Sequence, residues 1–271
     1  MPGVIQDLLE IVSSNIRNVS QVYGMARVML KKRYSGSLLG VIWALVKPTI
    51  YCVVYWFVMA VGIRGSSKIE GITYGLWMIP GIMAWFFFND VLNDSSASIL
   101  DNRHLVTKLV YPVDTIPTSS VLSFFFVHLM MMGIAIAIFI LSGFGIGIYL
   151  IQLPYYMFCG LLLGFVVAFL LSALSAVSKD FKHVVRSLVT AFFWLTPSLW
   201  SIKNVPPILK TIIQSNPFAY VVMGYRNCFV SKTWFFSQMG YMLYFWLLMV
   251  VLILAAVFVF KKLKNEFADV L

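Results

Sequence analysis

The chain has 271 residues, of which 61% are hydrophobic and 11% are charged. About a quarter of the residues in a soluble domain are charged, so this composition excludes an ordinary water-soluble protein. The formal net charge of +10 does not indicate a nucleic-acid partner, because the basic residues flank the apolar runs instead of forming one patch.

The first 37 residues are predicted to form a cytoplasmic amphipathic segment on the membrane surface. Val4, Leu8 and Val12 share one helical face, and Val22 and Met29 continue the pattern before the basic run at residues 31–33. Apolar faces next to basic residues are typical of interfacial helices that contact anionic lipids.

The following part of the chain contains long apolar runs. A helix that crosses about 30 Å of hydrocarbon needs about 20 mainly apolar residues. Six runs approach or reach that length, although Pro197 interrupts the fifth; they cover residues 38–63, 72–92, 118–141, 154–177, 184–202 and 240–260. We therefore predict an all-α, polytopic integral membrane protein with six transmembrane helices, in which residues 38–271 form the transmembrane domain.

The distribution of basic residues predicts the orientation. If the N-terminus is inside, fourteen Lys and Arg residues lie on the cytoplasmic side and six lie outside. We expect both termini to be cytoplasmic, in a multi-pass protein of the plasma membrane.

One segment does not fit a simple series of crossings. Between residues 203 and 236, two apolar pieces are each too short to span the bilayer, and Asn216 and Pro217 separate them. This pattern predicts a re-entrant helical hairpin that enters the membrane from the outside, with its broken backbone sheltered by protein.

Several motifs resemble a known family in the same order and spacing. They are KRYSGSLLGVIWALVKP at residues 32–48, the segment from WMIPG to KLVYP at residues 77–112, SKDFKHVVRSL at residues 178–188 and SNPFAYVVMGYR at residues 215–226. The sequence resembles ABC-2 type permeases of polysaccharide exporters. The turn VGIRG at residues 61–65, WFF at 234–236, LYFWLL from residue 243 and the ending KNEFADVL are similar to the membrane subunit of wall teichoic acid exporters.

This resemblance implies a homodimeric permease that works with two copies of a cytoplasmic ABC ATPase subunit. The implied cargo is a polymer on a polyprenyl diphosphate carrier. We expect a lipid-linked anionic polymer, wall teichoic acid, with lipid-linked O-antigen or capsular polysaccharide as the alternative. A membrane-embedded transferase acting on the same carrier, and a channel or anchor without a partner, are further alternatives.

The sequence carries no signal for catalysis. No G-x-x-x-x-G-K-[ST] phosphate-binding loop occurs, so ATP and Mg²⁺ are expected on the partner ATPase and no cofactor on this chain. The acidic residues are scattered, Cys52, Cys159 and Cys228 are widely spaced, and no metal or catalytic site is predicted. His128 is interpreted as a buried, hydrogen-bonded histidine, with a functional proton relay as the alternative.

Two groups of residues are candidates for transport. Charged residues, including Asp90, Asp94 and Asp114, crowd into residues 90–118; by resemblance, the part of this segment that contacts the ATPase contains Asp101, Arg103, His104, Lys108 and Tyr111. One stripe of the first span and one of the fifth, together with Arg226 in the outer hairpin, are predicted to form the substrate pathway. These residues are Lys47, Tyr51, Tyr55, Phe192, Thr196, Trp200 and Arg226. The alternative for the stripes is ordinary helix packing and interfacial anchoring. Lys47 could instead snorkel to the interface, and Arg226 could instead cap the hairpin's carbonyls or pair with Glu70.

Overall fold

The computed structural model describes residues 2–63, 68–108 and 111–267. Residues 64 and 65 of the VGIRG turn and the last four residues of the C-terminal motif lie outside the described residues, as does the side chain of Lys108. Throughout the described ranges the secondary structure is helical, apart from one isolated bridge between Ile69 and Ile72. The predicted all-α class is therefore confirmed.

The chain begins with two helices at the predicted amphipathic segment. They are α1, Pro2–Arg17, and α2, Val19–Arg33. Helix α2 packs along α7, Thr115–Leu141, while α1 lies near the end of α12, Met239–Lys264. The ammonium group of Lys261 forms an ion pair with Glu10 at 2.5 Å, which ties α1 to α12. Their location at the membrane surface stays a prediction.

Within residues 2–63, 68–108 and 111–267, five stretches are long and apolar enough to cross a membrane. They are Gly40–Gly62, Tyr74–Thr107, Thr115–Leu141, Ile148–Val177 and Phe235–Lys264. The first contains α3, Trp43–Phe57; the second contains α4, Tyr74–Asp94, with the short helices α5, Ser98–Asp101, and α6, Arg103–Lys108. The fourth contains α8, Leu153–Val177. Helix α4 is central, because it is buried on nearly every side and packs against α3, α7 and α8.

The predicted six-span count is not confirmed, because the fifth run forms only a short helix. Helix α9, Asp180–Leu195, has 16 residues and is therefore about 24 Å long, which falls short of a bilayer core. Thr196 then adopts an extended conformation immediately before Pro197. A residue that precedes proline is disfavoured in the helical region, and proline has no N–H to continue the helix.

The segment between α9 and α12 contains the two short helices that the sequence predicts. Helix α10, Pro207–Ser215, and helix α11, Pro217–Arg226, meet at Asn216. The side chain of Asn216 accepts a hydrogen bond from the backbone N–H of Phe218 and so caps α11. Helix α11 is mostly buried against α4 and α8, whereas α10 buries no side chain fully. Whether this pair enters the membrane stays a prediction.

Candidate functional site

A cavity of about 590 Å³ lies between α3, α4 and α9. Lys47, Tyr51 and Tyr55 of the predicted pathway all line it, since their spacing places them on one face of α3. The structure therefore brings together the three candidates from the first span.

Charged groups lie at the end of this cavity that adjoins the C-terminal end of α2. Asp90 and Asp94 of α4 line it together with Arg33, whose Nε atom lies 3.6 Å from Oδ2 of Asp94. Lys47 and Arg33 both interact electrostatically with Asp90. Burial raises the pKa of nearby Tyr34, so its hydroxyl stays a neutral hydrogen-bond donor at neutral pH. This end of the cavity combines cations with hydrogen-bonding groups, as recognition of a polar or phosphorylated group requires.

Aromatic rings continue from the charged end along the cavity. The rings of Tyr51 and Tyr55 are stacked with centroids 6.3 Å apart, and Tyr55 lies 5.5 Å from Phe193. The ring centroid of Trp85 lies 5.6 Å from that of Phe193. Aromatic faces contact sugar rings without requiring one fixed orientation, so this row can accompany a moving polymer.

The contribution of α9 to the cavity differs from the predicted stripe. Val189, Thr190, Phe193 and Trp194 line the cavity, whereas Phe192 points elsewhere and packs on Phe218 of α11, with centroids 5.8 Å apart. A shift of one residue on a helix rotates the facing side chain by about 100°.

The two other candidates in this region are held by local hydrogen bonds. Thr196 is fully buried, and its hydroxyl accepts a hydrogen bond of 2.9 Å from the side-chain amide of Asn216. The indole N–H of Trp200 donates to the backbone carbonyl of Trp194 at 3.1 Å. Neither residue lines the cavity between α3, α4 and α9.

Arg226 lies apart from Lys47. Its guanidinium is 5% exposed, donates hydrogen bonds to the backbone carbonyls of Pro197 and Ser198, and lies 3.7 Å from the ring centroid of Trp77. Both carbonyls lie in the turn that follows the end of α9 at Leu195, so Arg226 fastens α11 to the chain just beyond that helix.

The candidate coupling segment forms α5, α6 and the residues that follow. Arg103 and His104 are exposed, while Leu105 next to them in the chain is buried and anchors the segment. Asp101 forms a salt bridge of 2.8 Å with Lys182 of α9, and Tyr111 is half-buried. The segment is therefore fixed to the helical body and presents a polar outer face.

Comparison with known proteins identifies the family. A family model described as ABC-2 type transporter matches residues 20–230. The chain belongs to the ABC-2 type transporter family. The O-antigen export system permease protein RfbA of Klebsiella pneumoniae is 25% identical to this permease over 243 residues, which cover 89% of this chain and 91% of the relative. The protein of the same name from Myxococcus xanthus is 24% identical over 246 residues, with the same two coverages.

The family match confirms the resemblance to exporter permeases and the expectation of a non-catalytic membrane subunit. Membership in this family implies a partner ABC ATPase that supplies the energy. No group of three His, Cys, Asp or Glu side chains that could hold a metal ion occurs among the residues the structure describes. Both relatives are named for O-antigen export, and wall teichoic acid as the cargo is not shown.

Sequence reasoning missed part of the permease's cavity. The sequence groups Asp90 and Asp94 with the charged coupling segment at residues 90–118, yet both line the cavity. Their spacing of four residues, which places two side chains on one helical face, was the available signal. Arg33 and Phe193 were also missed. Their position at the cavity depends on how α2 and α9 pack against the other helices, and spacing within one helix does not reveal this packing.

Proposed function

We propose that this permease exports a lipid-linked polysaccharide of the O-antigen class, as a homodimer driven by two copies of an ABC ATPase subunit that binds ATP and Mg²⁺. The observation that carries the proposal is the cavity between α3, α4 and α9, where Lys47 lies beside an aromatic row formed by Tyr51, Tyr55 and Phe193. Lys47 supplies a cation for the diphosphate of the carrier, and the rings follow the sugars.

The surface next to this cavity supports the homodimer. Helix α3 leaves Val53, Val54 and Phe57 more than 45% exposed, and α9 leaves Leu188 and Trp194 similarly uncovered. These apolar faces border a polar cavity. If the cavity is to be closed from lipid, protein must cover its open side. A second copy that packs against α3 and α9 encloses the route.

The proposed orientation places both termini in the cytoplasm, with α10 and α11 at the outer face. In a chain whose three native cysteines are replaced by alanine, single cysteines at Ser142 and Lys232 are expected to react with a membrane-impermeant maleimide on intact cells. A cysteine at Ser13 should be protected. The opposite labelling pattern would reverse the orientation.

The transport proposal is tested in vesicles that contain the permease and its co-purified ATPase. Lys47→Gln is expected to reduce export of a lipid-linked glycan by about tenfold or more, since a charge-assisted hydrogen bond contributes about 1.5–3 kcal/mol. Tyr51→Leu removes a ring from the aromatic row and should also reduce export. Matched controls are Lys32→Gln, an exposed cation, and Phe158→Leu, an exposed ring of α8, because neither residue lines the cavity.

The same vesicles separate the candidate cargoes. Presented with a lipid-linked glycan or a lipid-linked poly-phosphodiester, the permease is expected to export the glycan. Preferential export of the poly-phosphodiester would restore wall teichoic acid as the cargo. Export of both substrates at wild-type rate by the Lys47 and Tyr51 variants would remove this cavity from the route.

A further inference from the structure

A second cavity, of about 490 Å³, lies at the opposite end of α4 from Asp90 and Asp94. The start of α4, the loop after α9, the two hairpin helices and the start of α12 surround it, and it shares no lining residue with the cavity between α3, α4 and α9. Its volume lies within the range of about 300–1,000 Å³ that is usual for small-molecule sites. We call it the hairpin cavity.

Three buried polar atoms in the residues that line the hairpin cavity have no hydrogen-bond partner among the described residues. They are Nε of Arg226, the hydroxyl oxygen of Thr233 and the hydroxyl oxygen of Tyr241. Arg226 itself is 95% buried, being 5% exposed. Buried polar groups are almost always hydrogen-bonded, because an unpaired group loses its hydration without compensation. Three such atoms at one cavity indicate a polar ligand.

The backbone around the hairpin cavity is also unusual. Glu70 and Lys232 are the two described non-glycine residues with a positive φ, each at 51°. Glu70 stands in the tight turn closed by the Ile69–Ile72 bridge, and Lys232 ends a π-helical turn at Asn227–Ser231. Left-handed residues and π-helical turns cost conformational energy and cluster at ligand sites. In this cavity the turn holds the carboxylate of Glu70 beside Trp77 and Ser231.

Charged side chains of both signs line the hairpin cavity, namely Glu70 and the cations Lys203, Lys210 and Arg226. The carboxylate of Glu70 accepts a hydrogen bond of 2.8 Å from Ser231 and forms a salt bridge of 3.2 Å with Lys203. The guanidinium of Arg226 already binds two backbone carbonyls. Two of the three cations are thus already engaged, whereas sugar hydroxyls can donate to the carboxylate of Glu70 and also pair with Thr233 and Tyr241.

We propose that the hairpin cavity is a saccharide-binding subsite for sugar units of the transported polymer. The proposal rests on the function proposed above, because the polymer must be a glycan, and on the orientation that places the hairpin outside. The subsite would hold emerging sugar units at the outer face and so oppose their return.

The test uses the detergent-purified complex with its ATPase and, as the probe, the host's cell-surface polysaccharide after removal of its lipid. Calorimetric titration is expected to show binding to the wild type and at least about tenfold weaker binding to Tyr241→Phe and to Thr233→Val, a change of about 1.4 kcal/mol each. Tyr244→Phe is the matched control, because its hydroxyl lies on the same helix but donates to the carbonyl of Ser215.

Thermal unfolding separates binding from structure in these variants. Removing an unpaired hydroxyl leaves stability unchanged or raises it, so Tyr241→Phe and Thr233→Val should not lower the Tm of the ligand-free complex. A lowered Tm would show that the hydroxyls have partners within the protein and would contradict the proposal. So would unchanged affinity in both variants, or displacement of the polysaccharide by inorganic phosphate.

Export assays distinguish failure of this subsite from failure of the proposed function. If Lys47→Gln stops glycan export while Tyr241→Phe and Thr233→Val bind and export normally, the subsite is refuted and the exporter stands. If the wild type exports no glycan but binds the polysaccharide in a way that needs Tyr241 and Thr233, the hairpin cavity is a saccharide site of a protein with another cargo.

Discussion

The Nε2 atom of His128 lies 2.8 Å from the hydroxyl of Tyr225, and both side chains are at least 98% buried. His128 belongs to α7 and Tyr225 to α11, so this hydrogen bond joins the hairpin to the helical body. It agrees with the interpretation of His128 as a buried, hydrogen-bonded histidine. Its partner could not be named from sequence, because the two residues are 97 positions apart.

Loss of this hydrogen bond is expected to destabilise the permease modestly. Tyr225→Phe should reduce the unfolding free energy by about 0.6–1.7 kcal/mol, the usual range for hydrogen bonds between membrane helices. His128→Phe should show a similar loss, and the double variant should lose less than the sum of the two. Unfolding in detergent measures the three values. Strict additivity would show that the pair does not interact.

Gly224 permits the closest approach of α11 to α8. A Cβ atom at this position would overlap the ring of Tyr156, which is 2% exposed and has little room to move. Gly224→Ala is therefore expected to cost about 1–3 kcal/mol through overpacking. Gly240→Ala is the matched control, because nothing lies within 4 Å of its Cβ position and alanine favours a helix. Equal Tm values for both variants would contradict the packing argument.

The ionisation of Glu70 predicts a pH dependence of stability. Desolvation raises the pKa of Glu70, but hydrogen bonds from Ser231 and Lys203 oppose it, and the net pKa lies below 4.5. A carboxyl whose pKa is lowered on folding stabilises the folded state above its unfolded pKa. That contribution is lost as pH falls through the folded pKa. The Tm should therefore drop below about pH 4.5.

The variant Glu70→Gln should have a lower Tm at neutral pH and a smaller further drop on acidification. Glu266→Gln is the control, since this exposed carboxylate forms no salt bridge among the described residues. Parallel acid unfolding curves for wild type and Glu70→Gln would mean that another group causes the acid sensitivity.

The sequence was most informative about features that depend on the spacing of residues within a single segment. Spacing alone placed Lys47, Tyr51 and Tyr55 on one face, and Asn216–Pro217 marked the break between α10 and α11. It was least informative where the answer depends on packing between helices. The length of α9 was overestimated because apolar residues continue past Pro197, although the backbone turns there. Arg226 also shows this limit, because its carbonyl partners lie about 28 residues earlier in the chain.

Substitution of two neighbouring phenylalanines can test which face of α9 lines the cavity. Phe193→Ala should impair glycan export strongly, because Phe193 lines the cavity and contacts Tyr55 and Trp85. Phe192→Ala removes the same number of atoms but acts on Phe218 of the hairpin, so it should lower stability and affect export less. Comparable export losses at equal expression would indicate that both faces of α9 meet the substrate.

The last prediction concerns the coupling of ATP hydrolysis to export through α5 and α6. Arg103 is exposed, whereas Asp101 is held by Lys182, so the two residues should respond differently to substitution. Like charges placed across an interface cost several kcal/mol, and Arg103→Glu is therefore expected to reduce export by about tenfold or more. Its Tm should stay at the wild-type value, because the exposed side chain of Arg103 forms no hydrogen bond or ion pair with the residues that the structure describes. Lys262→Glu, an exposed cation at the end of α12, is the control.

Asp101→Lys should act through the permease itself, by repelling Lys182 and displacing α5 from α9. The charge swap Asp101→Lys with Lys182→Asp should then restore part of the export, whereas no change at Lys182 should rescue Arg103→Glu. Export and ATPase rates in reconstituted complexes measure both effects, and co-purification measures assembly. If Arg103→Glu exports at the wild-type rate with a full complement of ATPase, the exposed face of α6 does not transmit the energy of hydrolysis.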